Sequence, residues 1–239
     1  MPKTILFHSA TGGVGRTLFA VSIAAHFAEV GKVMFIDSTN SSHNYFFKSE
    51  PTPTSSGYCV PNVTEQSGYL DRKMSLDNIH VYPDISYYYD QGDKYDTVIF
   101  NDGDRLFINE NLWSRIKPDY IVTPYLNNKR SILNTLKDLE FFDRISAAKN
   151  IPVQNMDEGR SEHDLGNNWD DNALKAFQTY FLKLTNSNRE EALRLFHWTS
   201  LMRQSFLSFG QRIIPLHFRR SDPSWPGSRI FTLFTLLNK

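Results

Sequence analysis

A short glycine-rich segment near the start of the chain carries the residues best suited to chemistry. Residues 10–17 read Ala-Thr-Gly-Gly-Val-Gly-Arg-Thr, with apolar runs before and after them. Glycines permit tight dihedrals, so that backbone N–H groups can converge on a phosphate, and the start of a following helix adds positive potential. The segment therefore predicts a phosphate-binding loop. The alternative is a glycine turn that only joins a strand to a helix.

Within this loop we expect two side chains to add to the backbone amides. The Arg16 guanidinium supplies a cation, and the Thr17 hydroxyl is a ligand type that Mg²⁺ accepts. The strict phosphate-loop pattern is missed at Ala10 and at Arg16, where it has glycine and lysine. The expected phosphate-binding residues are Gly12, Gly13, Val14, Gly15, Arg16 and Thr17.

The elements that must position the loop are a strand, a helix and a second strand. Residues 4–7 and 32–37 are short apolar runs, and residues 17–30 are apolar nearly all round a helix. Strands with two apolar faces are typical of a parallel sheet covered by helices on both sides. The sequence therefore predicts an α/β fold with one doubly wound, mostly parallel sheet and the loop at its carboxyl edge.

The rest of the chain contains further candidate elements and two polar segments. Strands are predicted at 79–82, 97–100, 120–123 (closed by Pro124) and 212–216, helices at 106–116, 129–147, 172–184 and 189–209, and a tyrosine-rich loop at 87–93. Residues 38–75 are turn-rich and predict a long, partly mobile excursion, whereas residues 156–171, with six acids and one base, predict a solvated acidic loop. Since no linker is convincing, we expect one domain over residues 1–239.

Composition excludes several classes of function. The 26 Lys and Arg balance 26 Asp and Glu, so no highly charged partner is required overall. The single cysteine, Cys59, excludes an internal disulfide and an iron–sulfur centre. No apolar run reaches the length of about 18 residues that spans a bilayer, and residues 1–6 lack the pattern of a signal peptide. The expected compartment is the cytoplasm.

Four segments in order carry a resemblance to a known family. GGVGRT (12–17), KVMFID (32–37), YDTVIFND (95–102) and DYIVTP (119–124) together resemble the ParA/MinD family of deviant Walker A ATPases. The resemblance covers roughly residues 3–145. It implies a P-loop NTPase fold, ATP or ADP with Mg²⁺ as ligands, and a homodimer that sandwiches nucleotide.

The family motif transfers onto this chain with departures at its charged positions. The signature lysine that reaches across the dimer falls on Thr11, and the P-loop lysine on Arg16. The first Asp of the Asp-x-Asp motif, the candidate for orienting the attacking water, falls on Asp37, and the second on Thr39. The resemblance therefore implies Asp37 as the catalytic residue and leaves hydrolysis weak or absent.

The metal site implied by the resemblance has two alternatives at one position. Strict counting from Tyr95 places the Walker B aspartate on Asn101, with Asp102 one residue later. A slip of one residue turns a strand side chain to the other face, so Asp102 serves only if the strand end is re-aimed. The expected metal residues are thus Thr17 and either Asp102 or Asn101.

Other implied contacts lie later in the chain. Pro215 is expected near adenine, and Asn155 is a candidate base contact. Residues 203–239 carry six bases and one acid, which favours either non-specific DNA binding or a solvated face. The arginines concerned are Arg203, Arg212, Arg219 and Arg220. A terminal stretch at 229–239 resembles a membrane-binding helix only faintly, and docking on the core is the preferred interpretation, so a membrane is not expected as partner.

Three functions remain open at this stage. The first is a ParA/MinD-like nucleotide-binding spatial switch, whose ATP-sandwich dimer positions or segregates DNA or a protein complex. The second is a pseudo-ATPase adaptor of the same fold, which has lost hydrolysis and works by dimerisation or partner binding. The third, a small-molecule kinase or ligase, needs a substrate site to which the sequence does not point.

Overall fold

A computed structural model of the chain describes residues 1–47, 50–61, 76–101, 116–126, 129–155, 233 and 237–238. Within this part, six parallel strands form one sheet in the order β3-β2-β4-β1-β5-β6. The strands are β1 (Lys3–Phe7), β2 (Val33–Ile36), β3 (Ile79–Tyr82), β4 (Thr97–Asn101), β5 (Tyr120–Leu126) and β6 (Lys149–Asn155). The strand order places β4, although distant in sequence, directly beside β1. The predicted parallel α/β sheet is confirmed.

Four α-helices accompany the sheet in the described residues. They are α1 (Arg16–Ala28), α2 (His43–Phe46), α3 (Ser86–Gln91) and α4 (Lys129–Ile145). Short 3₁₀ turns lie at Leu76–Asn78 and Gly92–Lys94. The predicted helices at 17–30 and 129–147 are both present, with ends within two residues of those expected.

The core lies on both faces of the sheet because strand side chains alternate between them. Ile5 and Phe35 point into the cluster around α1, whereas Leu6, Met34 and Phe100 belong to the cluster on the opposite face. Every side chain of α1 from Leu18 to Ala28 is buried. This burial explains why α1 is apolar all round. It also holds the start of α1, and with it the end of the glycine loop, in a fixed place against the sheet.

Two sequence predictions about local structure are wrong. Residues 87–93 are not a loop but form most of α3 and the 3₁₀ turn after it. The rings of Tyr87 and Tyr88 lie 4.8 Å from Tyr82 and 5.2 Å from Phe100, so tertiary packing favours the helix. Loop composition alone does not reveal such contacts.

Strand β5 also runs further than predicted, because Pro124 does not close it. Pro124 pairs in register with Val153 of β6. The Val122 carbonyl accepts from His8 N at 3.0 Å, and Pro124 lies beyond the last residue of β5 that is paired with β1. The N–H that proline lacks would point towards β1, where the chain has already turned into the glycine loop.

The described parts of the excursion at 38–75 contain ordered backbone contacts. Helix α2 follows β2, and a turn joins Thr54 N to Tyr58 O at 2.9 Å. Cys59 forms an antiparallel bridge with Val81 of β3. The mobility of the excursion stays a prediction. The acidic loop at 156–171 and the elements predicted at 172–184, 189–209 and 212–216 lie outside the described residues.

Candidate phosphate-binding site

The glycine loop leaves the carboxyl end of β1 and opens α1. Gly13 and Gly15 have left-handed φ angles of 75° and 83°, which only glycine adopts without strain. Gly15 is the N-cap of α1, where no side chain caps the helix, and the first turn carries no acid. A Cβ added at Gly12 or Gly13 would meet no atom within 4 Å. The loop surface is therefore open beside the positive end of a helix dipole, which suits an anion.

Four side chains from three segments meet next to this loop. Arg16 Nε donates to Asn101 Oδ1 at 3.3 Å, and Asn101 Nδ2 donates to Ser41 Oγ at 2.9 Å and to Thr17 Oγ1 at 3.4 Å. Thr17 Oγ1 in turn donates to Ser41 Oγ at 3.0 Å. Asn101 is completely buried. The end of β4, the start of α1 and the loop after β2 are thereby joined.

Asp37 is the buried carboxylate of the site, with 2% of its surface exposed. Its Oδ1 accepts from Thr39 N, Thr39 Oγ1 and Ser41 Oγ, and its Oδ2 accepts from Ser42 N at 2.6 Å. Hydrogen bonds to both oxygens hold the carboxylate in one orientation. Asp37 therefore organises the loop after β2, and its carboxylate lies 3.2 Å from the Ser41 hydroxyl.

Helix α4 fixes the first residues of the glycine loop from the other side. Asp138 Oδ2 accepts from Ala10 N at 3.1 Å and lies 3.5 Å from His8 Nε2. Asn134 Nδ2 donates to Thr11 Oγ1 at 3.2 Å. Asp138 and His8 are both buried. The loop is thus anchored to a helix that begins more than a hundred residues later.

The structure brings part of the predicted site together. Arg16, Thr17 and Asn101 are in contact, and Asp37 reaches them through Ser41. Asn155 ends β6, paired with Leu126, at the same carboxyl edge of the sheet. Asp102, Pro215 and the four arginines at 203, 212, 219 and 220 lie outside the described residues and stay predictions.

Sequence reasoning missed Ser41, Asn134 and Asp138. The signal for Ser41 was the run of short polar residues that directly follows Asp37, because an aspartate side chain commonly accepts hydrogen bonds from the turn that follows it. Asn134 and Asp138 lie four residues apart on α4 and therefore share one face of that helix. Nothing local in the sequence says that this face meets the glycine loop.

A cavity of about 150 Å³ lies behind the Asp37 loop. Its lining includes Phe47, Pro51, Cys59 and Tyr82. Burial raises the pKa of the Cys59 thiol, which therefore stays protonated at neutral pH.

The donor set suits a hard, hydrated cation better than a transition metal. Thr17 and Ser41 offer hydroxyl oxygens, and Asp37 offers a carboxylate one hydrogen bond away. Magnesium usually keeps several waters and takes few protein ligands beside substrate phosphates. Within the described residues, no group of three His, Cys, Asp or Glu side chains lies close enough to hold a metal ion. The residues present therefore fit Mg²⁺ that is bound together with a phosphate.

Comparison with solved structures extends the likeness to nearly the whole chain. MinD from Aquifex aeolicus matches with a TM-score of 0.60 at 12% identity, over 99% of this chain and 97% of that one. MinD from Pyrococcus horikoshii, in complex with Mg-ADP, matches with a TM-score of 0.60 at 14% identity, over 100% and 97%. The chain has the MinD fold.

A third match with this fold is apo McdA from Cyanothece, with a TM-score of 0.57 at 12% identity, over 98% of this chain and 100% of that one. Neither protein-family models nor curated protein sequences give a match to the sequence. The MinD fold agrees with the resemblance read from the four sequence segments. At these identities, what is shared with the three structures is the fold.

The terminal segment meets the core of the MinD fold. Leu233 and Leu237 are completely buried in the cluster around α1, and Lys3 Nζ donates to Leu237 O at 2.7 Å. Both leucines point inwards, which favours the docked interpretation of residues 229–239. In the described part of the chain, no helix is long and apolar enough to cross a membrane.

Proposed function

We propose that the chain is a nucleotide-binding spatial switch of the ParA/MinD kind. In this proposal ATP or ADP binds with Mg²⁺ at residues 12–17, and an ATP-dependent homodimer positions or segregates a cargo. The observation that carries the proposal is an open glycine loop at the start of α1 in a MinD fold. Two structures with this fold contain nucleotide: Mg-ADP in the Pyrococcus MinD and ATP in a Cyanothece McdA variant.

Each residue of the site has a role in this proposal. The backbone amides of Gly12, Gly13, Val14 and Gly15 and the Arg16 guanidinium bind the phosphates. Thr17 holds Mg²⁺, with Asn101 or Asp102 beside it, and bound Mg²⁺ neutralises charge on the phosphates. Asp37, fixed by hydrogen bonds to both oxygens, orients the attacking water. Asn155 and Pro215 contact the base.

Hydrolysis in this proposal is slow. Phosphoryl transfer depends on positioning and on compensating charge around the transferred group. Here Thr11 is uncharged and bonded to Asn134 of its own chain, and position 101 carries an amide in place of a carboxylate. Binding needs only the ground state to be held, and it is less sensitive to these changes.

The same observations favour a second candidate, a pseudo-ATPase adaptor. If Thr11 cannot reach a partner's nucleotide and Arg16 stays on Asn101, the fold can still dimerise or bind a partner without turnover. The two candidates differ in whether nucleotide binding controls assembly. In the switch model, the protein binds DNA non-specifically as the surface on which it moves its cargo. The residues proposed to contact the DNA phosphates are Arg203, Arg212, Arg219 and Arg220, and such binding would weaken steeply with salt.

Calorimetric titration with ATP, ADP and a non-hydrolysable ATP analogue, each with Mg²⁺, tests the proposal. Light scattering of the same mixtures gives the mass. We expect binding of all three nucleotides and a doubling of mass with ATP or its analogue. If no nucleotide binds at millimolar concentration, the switch is excluded and the pseudo-ATPase adaptor remains as the candidate function.

Substitution of Arg16 by alanine separates the candidates further. If the protein is a switch, R16A loses both nucleotide binding and cargo positioning, because the cation of the loop is gone. If it is an adaptor, R16A leaves the function of the protein unchanged. The matched control is R144A, since Arg144 is an exposed arginine near the end of α4.

A further inference from the structure

Ser41 lies at the centre of the hydrogen bonds beside the glycine loop. It contacts Asp37 at 3.2 Å, Thr17 at 3.0 Å and Asn101 at 2.9 Å, so it links three segments of the chain. A hydroxyl has one hydrogen to donate and two lone pairs to accept with. Three contacts therefore use its whole capacity, and the direction of each can be worked out.

Groups that can only donate or only accept fix these directions. Arg16 Nε only donates, so the Asn101 atom facing it at 3.3 Å is Oδ1, and the amide nitrogen faces Ser41. The Asp37 carboxylate only accepts, so Ser41 gives it its hydrogen. Ser41 must then accept from Thr17. The order of donation is Thr17 to Ser41 to Asp37.

This order has a consequence for the Thr17 oxygen. The hydrogen of Thr17 is committed to Ser41, and Asn101 Nδ2 occupies one lone pair at 3.4 Å. In the part of the chain that the structure describes, the second lone pair of Thr17 remains for a cation. Because hydrogen bonds in series polarise one another, the charge of Asp37 increases electron density on that oxygen.

We propose that Ser41 is a positioning residue for the divalent cation that accompanies the nucleotide. Asn101, the last residue of β4, faces Thr17 with a neutral amide, so residue 101 itself supplies no negative charge there. Ser41 transmits the charge of the Asp37 carboxylate to the Thr17 hydroxyl through two hydrogen bonds, where residue 101 supplies none. Thr39 also donates to Asp37, but among the described residues the Thr17 hydroxyl bonds to Ser41 and not to Thr39, which makes Ser41 the connecting residue. The proposal rests on nucleotide binding at this loop.

The test is the affinity for a fluorescent ATP analogue, measured once with Mg²⁺ and once with EDTA. We expect Mg²⁺ to tighten binding by the wild-type protein, and S41A to lose about tenfold of that gain, as is typical when a residue supporting a metal ligand is removed. The affinity in EDTA stays nearly unchanged in S41A. S41T, which keeps the hydroxyl, recovers the gain.

S38A is the matched control, since Ser38 is an exposed serine of the same loop. Thermal unfolding without nucleotide confirms that each variant is folded. If S41A does not fold, Ser41→Cys gives the same comparison, because a thiol is a poor hydrogen-bonding substitute for a hydroxyl.

The outcomes separate this proposal from the proposed function. If S41A weakens binding equally in Mg²⁺ and EDTA, Ser41 is only structural and the cation role is overturned. A wild-type protein that binds nucleotide with no gain from Mg²⁺ overturns the Ser41 proposal alone. A wild-type protein that binds no nucleotide in either condition overturns the proposed function as well.

Discussion

Arg16 and Asn101 each depart from the motif of the family that the sequence resembles, and they contact one another. Arg16 Nε lies 3.3 Å from Asn101 Oδ1. An amide offers this guanidinium a neutral acceptor, whereas a carboxylate would hold it in a buried ion pair. The two departures are therefore compatible with each other, because Arg16 finds a neutral acceptor on Asn101.

His80 is a residue for which the structure predicts pH dependence near neutrality. Its ring stacks on Tyr58 at 3.9 Å, and its Nδ1 lies 2.8 Å from the Tyr95 hydroxyl. Burial, with a smaller effect of the positive charge of Lys32, lowers the pKa of His80 below 6.5. Burial of Tyr95, and its hydrogen bond with Tyr82, raise the pKa of the Tyr95 hydroxyl, which therefore stays protonated at neutral pH.

We expect acid to destabilise the protein through His80. A lowered pKa in the folded state means that the unfolded chain binds the proton more readily, so the contribution is full above pH 6.5 and is lost as pH falls through the folded pKa. Urea unfolding between pH 7.5 and 5 therefore shows a steeper loss of stability for the wild type than for H80F. An NMR titration in which His80 titrates at or above 6.5 would contradict this.

At the scale of elements, α4 determines the shape of the glycine loop. Asp138 is buried and accepts from Ala10 N, and Asn134 donates to Thr11. A loop that is held before its ligand arrives binds with a smaller ordering cost. The brace between α4 and the loop is therefore expected to affect both stability and nucleotide affinity.

Substitution of Asp138 by alanine tests the brace. The substitution removes a hydrogen bond from the Ala10 N–H to a charged acceptor, so we expect a loss of about 2 kcal/mol in the free energy of unfolding. Amide exchange at Ala10 and Thr11 accelerates, and nucleotide affinity falls. D143A on the same helix, where Asp143 is exposed, changes stability by about 0.5 kcal/mol or less. Equal effects of the two substitutions would refute the brace.

At the scale of the whole molecule, the two ends of the chain meet beside α1. Leu233 and Leu237 are fully buried in the cluster that covers one face of the sheet. Lys3 Nζ donates to Leu237 O and lies 5.8 Å from the ring centre of Phe27. Burial lowers the pKa of the Lys3 ammonium. The terminal leucines thus belong to the same core as β1.

We expect L237A to destabilise the protein by about 3 kcal/mol, the usual range for a leucine removed from a packed core. L133A is the matched control, because Leu133 is 39% exposed and its loss costs about 0.5 kcal/mol or less. Urea unfolding measures both. A small effect of L237A, together with binding of the protein to anionic vesicles, would instead favour a membrane-binding terminal helix.

The sequence determined the fold class and the glycine loop that opens α1, because both are encoded locally. Apolar runs of four to six residues between helical patterns specify buried parallel strands. The loop needs left-handed φ angles at Gly13 and Gly15, which glycine alone supplies without strain. The likeness to ParA/MinD proteins read from four short segments was then matched by the fold over nearly the whole chain.

Only the tertiary structure decided which side chains share the site. The strand order puts β4 beside β1, so Asn101 meets Arg16 and Thr17, and the fold of the Asp37 loop brings Ser41 between them. The contact of Asp138 with Ala10 joins residues 128 positions apart. Packing against Tyr82 and Phe100 likewise made a helix of residues whose composition indicates a loop. Contacts between distant residues follow from how the elements pack, which no local pattern specifies.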